Sequence, residues 1–362
     1  MITIQQYKTD IGFKTLVDGV NDGLYIVPKY QRKYRWKKEQ IESLVESLIK
    51  GYPIPPIYTV RNADNQLEII DGQQRIMSLF FYYIGAFLNI RKLPTIDFSE
   101  MEVGNEGLGV ALKKNYSLEE LKIYIDIDEK NSVCVDYDKL SPKDKRRVDY
   151  STISVIEIKI DAPERKEEIL RTIFANLNKG GTLLSEQEQR NGIYGCIFYD
   201  MLKDFNRNNK KWRTIWGKQS EDERDMQTLL RFCALKEFLT IDSEGNYIIQ
   251  RYEDLYKDLL DRYSEQAMKY NAQKVSDYKE SLTRFVNRFQ ETKKLSTKVA
   301  LLESLYVVEE ISGLEHDITN KDIDNILKSE EYIKNTRQGT SKMSYMNKRW
   351  KAVYDILSGK HK

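Results

Sequence analysis

Residues 69–80 read IIDGQQRIMSLF. An apolar strand, Leu67 to Ile70, ends there and a helix begins within two residues. The helix carries Ile76, Leu79, Phe80, Tyr83, Ile84 and Phe87 on one face, the spacing of an amphipathic helix packed on a core. Asp71 fits an N-cap, and Gln74 stands three residues later where a capping box places its partner. Gly72 has no side chain to block a ligand from the backbone. The first-turn amides of such a helix lack intrahelical partners and attract anions, helped by the helix dipole. Arg75 adds a cation suited to bidentate phosphate contacts, and Gln73 and Gln74 have the chemistry to orient a water or to read a base or sugar. The same spelling also suits a capped helix that binds nothing.

Outward from this run, Lys37 to Lys50 places Ile41, Leu44, Val45, Leu48 and Ile49 on one helical face, with Gly51 as its stop. Pro53, Pro55 and Pro56 then force an extended exit into a strand at Ile57 to Val60, and Asn62 to Asn65 supply the turn before the next strand. Residues 97–150 lack clear periodicity, and Val103 to Gly109 reads as a loop or insertion. Ser151 to Ile160 alternates as a strand with Ile156, Ile158 and Ile160 inward. Beyond residue 164 the pattern is helical. Ile169, Ile173, Phe174 and Leu177 form a stripe that Gly180-Gly181 ends, and Ser185 with Glu188 spells a capping box. Helices follow at Met226 to Leu239, Val299 to Ile311 and Ile323 to Ile333, with a core stripe at Tyr278, Leu282, Phe285 and Phe289. The expectation is an α+β chain: a domain with a small mixed sheet over 1–185 and an all-helical domain over 186–362.

Composition narrows the function. With 58 basic and 56 acidic residues the net charge is only +2, so any nucleic-acid contact rests on a local face rather than on bulk charge. The three cysteines, Cys134, Cys196 and Cys233, are far apart and spell neither a zinc site nor a disulfide framework. Two histidines, His316 and His361, exclude schemes needing a histidine cluster. The opening MITIQQYKTD lacks a leader pattern and no apolar run is long enough to span a bilayer, so a cytoplasmic protein with no membrane partner is expected. Tyr30, Gln31, Arg32, Tyr34, Arg35 and Trp36 form a basic-aromatic cluster of the kind that stacks on bases and grips phosphate, or a solvated loop with snorkelling cations. Arg207, Lys210, Lys211, Trp212, Arg213 and Trp216 form a second basic patch that also reads as a charged loop anchored by two tryptophans. Asp149, Glu157 and Lys159 spell a nuclease-like pattern, yet alternation with apolar residues marks a solvated strand face.

Four motifs occur in order: PKYQRKYRW at 28–36, GYPIPPI at 51–57, IDGQQRIMSL at 70–79 and FANLNKGGTLLSEQEQRN at 174–191. In this order and spacing the chain resembles the N-terminal domain family of GmrSD-type restriction endonucleases, which carries a DGQQR signature. The resemblance implies a fold like that of ParB and sulfiredoxin, in which a strand-turn-helix holds nucleotide phosphates. It further implies nucleotide binding, and hydrolysis coupled to defence against foreign DNA. Carried over residue by residue, Asp71, Gln73, Gln74 and Arg75 become the catalytic group, with Asp71 binding Mg²⁺ or polarising a water. Tyr30, Gln31, Arg32, Gly72, Asn178 and Arg190 become nucleotide-binding residues. The cofactors implied are Mg²⁺ and a nucleoside triphosphate, and the partners are nucleotide, DNA and a separate nuclease or effector. The activity expected is a nucleoside triphosphatase acting as sensor or regulator; the alternative is a binding module without turnover that switches a partner. Full-length relatives also bear a His-Asn-His nuclease domain. The two histidines here do not match it, so cleavage is expected from another protein.

Overall fold

A computed structural model of the chain describes residues 4–28, 31, 33–89, 96–101, 104–128, 131–161, 166–177, 185–290, 293–337 and 341–359. The chain divides into two compact units, Met1–Leu183 and Leu184–Lys362.

The first unit runs β1 (Ile4–Gly12), α1 (Phe13–Asn21), β2 (Tyr25–Ile26), α2 (Lys38–Lys50), β3 (Ile57–Arg61), β4 (Leu67–Asp71), α3 (Gln73–Ile84) and β5 (Ala86–Leu88). It continues with α4 (Leu108–Asn115), β6 (Leu118–Glu120), β7 (Tyr124–Asp128), β8 (Asn131–Cys134), α5 (Pro142–Asp149), β9 (Thr152–Ile160) and α6 (Lys166–Leu177). Five strands form one mixed sheet in the order β1-β9-β3-β4-β2. β3 lies parallel to β9 and antiparallel to β4, while β4 lies parallel to the short β2.

The sheet is covered on both faces in its centre. Ile57, Ile69, Ile153 and Val155 join the main core with Phe13, Leu16, Ile41, Val45, Leu79 and Phe80 from α1, α2 and α3. Register places Val60 opposite Ile158 on the other face. There α6 packs on β4, and Val60, Ile70, Ile158, Ile169 and Phe174 are all buried. The expectation that Ile156, Ile158 and Ile160 point into the core is therefore corrected. They lie on the α6 side, and only Ile158 is buried, because a strand with two covered faces has no single inward set. Residues 97–150 are likewise more ordered than their sequence suggests. They hold α4, α5 and short strands paired as β5 with β6 and β7 with β8, and α4 begins at Leu108 inside the expected loop.

The second unit runs α7 (Glu186–Ile193), α8 (Ile197–Asn208), α9 (Lys210–Trp216), α10 (Arg224–Phe238), β10 (Leu239–Ile241), β11 (Tyr247–Ile249), α11 (Tyr256–Ala267) and α12 (Ala272–Asn287). It ends with α13 (Val299–Tyr306), α14 (Asn320–Lys328), α15 (Glu330–Lys334) and α16 (Met343–Leu357). It is mostly helical rather than all-helical, since β10 and β11 form a hairpin. Ser329 breaks the helix expected over 323–333 by capping α15. Trp212, Trp216, Leu229, Phe232, Phe285, Leu302, Tyr306 and Trp350 make its core. The tryptophans of the basic patch thus anchor α9 from inside.

α13 does not continue regularly to Ile311. Val307–Ile311 forms a π turn, and this wider coil places Glu309 against the core. The Glu309 carboxylate accepts the His316 backbone N–H at 3.1 Å and lies 3.7 Å from Arg288 Nε, with Glu310 beside it. Burial pushes its carboxyl up to about 7, against 4.5 ordinarily, despite the opposing pull of the His316 amide and Arg288. Below both values native and unfolded chains carry a neutral group. Between them the unfolded chain ionises first, so stability falls as pH rises through this window and the full cost stands above it. Glu309→Gln is therefore expected to melt higher than the parent at about pH 8 and to lose that advantage near about pH 4.5. Thermal melts at both values check it, and an advantage independent of pH would contradict the assignment.

Candidate functional site

The junction between β4 and α3 is built around one residue. Gly72 has φ +94° and serves as the N-cap of α3, with no side chain capping the helix. The expected capping box is corrected here. Asp71 is the last residue of β4, paired with Tyr58, which is one position too early to cap. A Cβ at Gly72 would stand 3.1 Å from Ile57 Cγ1 and 3.2 Å from Arg75 Nη2, so backbone conformation and crowding both select glycine.

Free of the capping role, the Asp71 carboxylate takes Arg75 instead. Arg75 Nη2 donates to Asp71 Oδ2 at 2.7 Å and to the Pro56 carbonyl at 2.9 Å. The Nε of Arg75 is buried and has no partner among the described residues. Gln73 opens α3 and is only 3% exposed. Neither its amide oxygen nor its amide nitrogen has a hydrogen-bond partner among the described residues, which leaves two buried polar atoms beside an uncapped helix N-terminus. The sequence does not separate Gln73 from Gln74. Pro56 lies within the GYPIPPI run, whose sequence gives no sign of the Arg75 contact.

Gln74 behaves differently from its neighbour. Its Oε1 accepts the backbone N–H groups of Arg35 at 2.8 Å and Trp36 at 3.2 Å, and its Nε2 donates to the Lys33 carbonyl at 3.3 Å. Gln31 reaches the end of β4, where its Nε2 donates to the carbonyls of Ile69 at 3.1 Å and Ile70 at 2.7 Å. Because β2 is two residues long, this side chain takes over where backbone pairing stops. Tyr34 is fully buried, hydrogen-bonded to Ser78 at 2.7 Å and edge-on to Phe81, Phe87 and Phe98, so it is a core anchor rather than a stacking platform. Tyr30, Arg32 and Asn178 lie outside the described residues.

Arg190 belongs to the second unit, where its Nε donates to Asp261 at 2.7 Å and its Nη2 lies 3.5 Å from Glu186. Buried at the end of α7, whose Ser185–Glu188 capping box is present, it joins α7 to α11. The nuclease-like pattern is dispersed. Glu157 forms a two-pronged ion pair with Arg61 at 2.9 and 2.8 Å, and Asp149 accepts the Tyr137 hydroxyl at 2.7 Å. Among the described residues no group of three or more His, Cys, Asp or Glu side chains is arranged to hold a metal ion. Asp71 therefore fits a cation only alongside oxygens that a ligand supplies, the usual manner of Mg²⁺.

Gln74 tethers two backbone amides, so its loss reads first as instability. Gln74→Ala is expected to lower unfolding free energy by about 1–3 kcal/mol, since the Arg35 and Trp36 amides lose their acceptor. Urea denaturation measures it, and an unchanged midpoint would remove the tether.

Comparison with known proteins adds the relationship. The family description "GmrSD restriction endonuclease, N-terminal domain" matches residues 13–195, just over half of the chain. A solved structure of a Pnob8-like ParB-N domain is similar at 11% identity over 99% of this chain and 100% of that chain, with a TM-score of 0.29. Overlap at that level does not by itself assign a fold. The curated proteins include no match to the sequence. No helix among the described residues is long and apolar enough to cross a membrane. The matched stretch contains the whole β4–α3 junction together with the loop that Gln74 tethers, and the chain belongs to the GmrSD restriction endonuclease N-terminal domain family.

Proposed function

We propose that the β4–α3 junction binds the phosphates of a nucleoside triphosphate, and that the chain thereby acts as a nucleotide-dependent sensor or regulator in DNA restriction and anti-phage defence. One observation carries this reading: the buried, unpartnered amide of Gln73 at the uncapped start of α3. A buried amide without partners costs free energy, and an anion on the first-turn N–H groups gives its donor a partner.

The residues divide the work. Gly72 makes the left-handed turn that brings the first-turn amides of α3 directly to the end of β4. Arg75 holds Asp71 in the free protein and has its buried Nε–H available, so a phosphate oxygen can compete for the guanidinium. Asp71, released from Arg75, becomes a carboxylate ligand for a cation that arrives with the phosphates. Mg²⁺, when bound, would neutralise phosphate charge. In this reading the unpartnered Gln73 amide orients the attacking water, and Gln74 is a positioning residue that holds the 33–36 backbone. Partners in this reading are nucleotide, DNA and a separate nuclease or effector. A second reading, binding without turnover, is favoured by the engagement of Gln74, which leaves one glutamine rather than two for water placement. Phosphate release measured against nucleotide concentration separates the two.

Gln73→Met tests the carrying observation because it sets stability against function. Replacing an unsatisfied buried amide with an apolar side chain of similar length is expected to stabilise the free protein by about 1–3 kcal/mol while weakening nucleotide binding. Arg75→Ala is expected to weaken binding roughly 10–100-fold, about 1.5–3 kcal/mol. Titration of a fluorescent nucleotide alongside urea melts gives both numbers. Parental affinity in a folded Gln73→Met or Arg75→Ala protein would sink the site.

A further inference from the structure

The second unit contains a cavity of about 260 Å³ lined by Arg224, Gln227, Thr228, Arg231, Tyr256, Val299, Ala300 and Arg349. Its charged lining is three arginines with no carboxylate. Arg224, Gln227, Thr228 and Arg231 fall at i, i+3, i+4 and i+7 of α10, one face of that helix. Val299 and Ala300 are the first two residues of α13, whose N-terminus no side chain caps. The positive end of a helix thus opens on the same space as the guanidinium groups.

Glu303 lies behind this wall and fixes it. Its carboxylate is fully buried. Oε1 accepts from Arg349 Nη2 and from Trp350 Nε1 at 3.2 Å, and Oε2 accepts from Arg231 Nη1 at 3.1 Å and the Tyr256 hydroxyl at 2.5 Å. The Arg231 guanidinium also sits 3.8 Å from the Tyr256 ring centroid, a cation–π contact that fixes its plane. Burial alone would raise the Glu303 carboxyl, but Arg349 and Arg231 hold it below its ordinary value, so it stays ionised. One carboxylate therefore orients two arginines and leaves their charge in excess. Arg231 Nε is buried with no partner among the described residues. Arg224 stands at the rim with a mostly exposed side chain, paired to Asp222 at 3.1 Å.

We propose that this cavity is a second anion site, separate from the β4–α3 junction, that takes the phosphate group of a small phosphate monoester such as a nucleoside monophosphate. Guanidinium groups preset by a buried carboxylate match phosphate oxygens in geometry and charge. The volume lies just under the range of pockets for drug-sized ligands, about 300–1,000 Å³, which suits a phosphate and a small attached group rather than a passing polymer strand.

The test uses the full chain carrying Arg75→Ala, so that any contribution of the junction is weakened and appears as a separate, lower-affinity phase. Equilibrium dialysis against inorganic phosphate, a labelled nucleoside 5′-monophosphate, the unphosphorylated nucleoside and a short DNA duplex separates the sources. Saturable binding of the monophosphate, competed by inorganic phosphate and absent for the nucleoside, is expected. Ala300→Glu should cut that binding at least about tenfold while folding normally, because an acid in a first helical turn is favourable. Arg224→Glu, at the exposed rim, should weaken it in the same direction and serves if Ala300→Glu melts early. The proposal is overturned if the Arg75→Ala chain binds no monophosphate, if neither charge reversal changes the binding, or if only the duplex binds. Loss of binding at the junction alone would leave this result untouched.

Discussion

The left-handed turn at Gly72 is the constraint on which the first unit's site depends. The end of β4 is held by β3 on one side, through Tyr58 and Asp71, and by the Gln31 side chain on the other, where β2 has stopped, so it is fixed in the sheet. A single residue then turns the chain into α3, with Ile57 where a Cβ would have to fit. With no slack between strand and helix, the first-turn amides, Gln73 and Arg75 are placed by the framework rather than by a loop, as a preorganised site requires. The same shortness moves Asp71 out of capping position and onto Arg75. Because α3 starts where it does, Gln74 faces inward and ties down residues 33–36, and the two polar segments meet.

Much of this was legible in local sequence. The strand-to-helix change at residue 71 follows from a switch between two hydrophobic periods, and the Ser185–Glu188 cap and the Tyr278–Phe289 stripe follow from spacing alone. The failures share a cause. Asp71 and Gln74 have the right types and the right interval for a capping box, yet each found a better partner: Arg75 one turn on for Asp71, and a backbone about forty residues earlier for Gln74. The Asp71–Arg75 pair is local but depends on α3 starting at Gly72, and the Gln74 tether joins distant segments, so the local spelling marks neither. Ile156, Ile158 and Ile160 misled for a related reason, since alternation marks a face but not which of two covered faces holds the larger core. The arginine cavity of the second unit was invisible because Arg231, Glu303 and Arg349 come from three separate helices.

Both units set cations with a carboxylate. Asp71 holds Arg75 in partial burial, with the carboxylate itself still reached by solvent, where opening the pair costs less than it would in a dry interior. Glu303 is itself fully buried between a buried Arg349 and a partly exposed Arg231, where removing a partner would leave an uncompensated buried carboxylate and is strongly destabilising. The first arrangement suits a pair that opens for a ligand. The second suits a fixed wall that a ligand meets without rearranging it. The burial of the carboxylate, not residue type, makes this difference.

Gln73 then poses a question of economy in free energy. Folded proteins are stable by only about 5–15 kcal/mol, and an orphaned buried amide costs about 1–3 kcal/mol of it. An ordered water is the simplest way to recover that cost, but a buried water needs two to four polar partners of its own. The first-turn N–H groups of α3 are the donors nearest to Gln73 along the chain, and the Nε–H of Arg75 is a further buried donor without a partner among the described residues. The same set of donors would hold a phosphate oxygen, with the added attraction of a full negative charge at a helix N-terminus. On the proposed reading, a water at Gln73 would thus stand where a ligand oxygen binds.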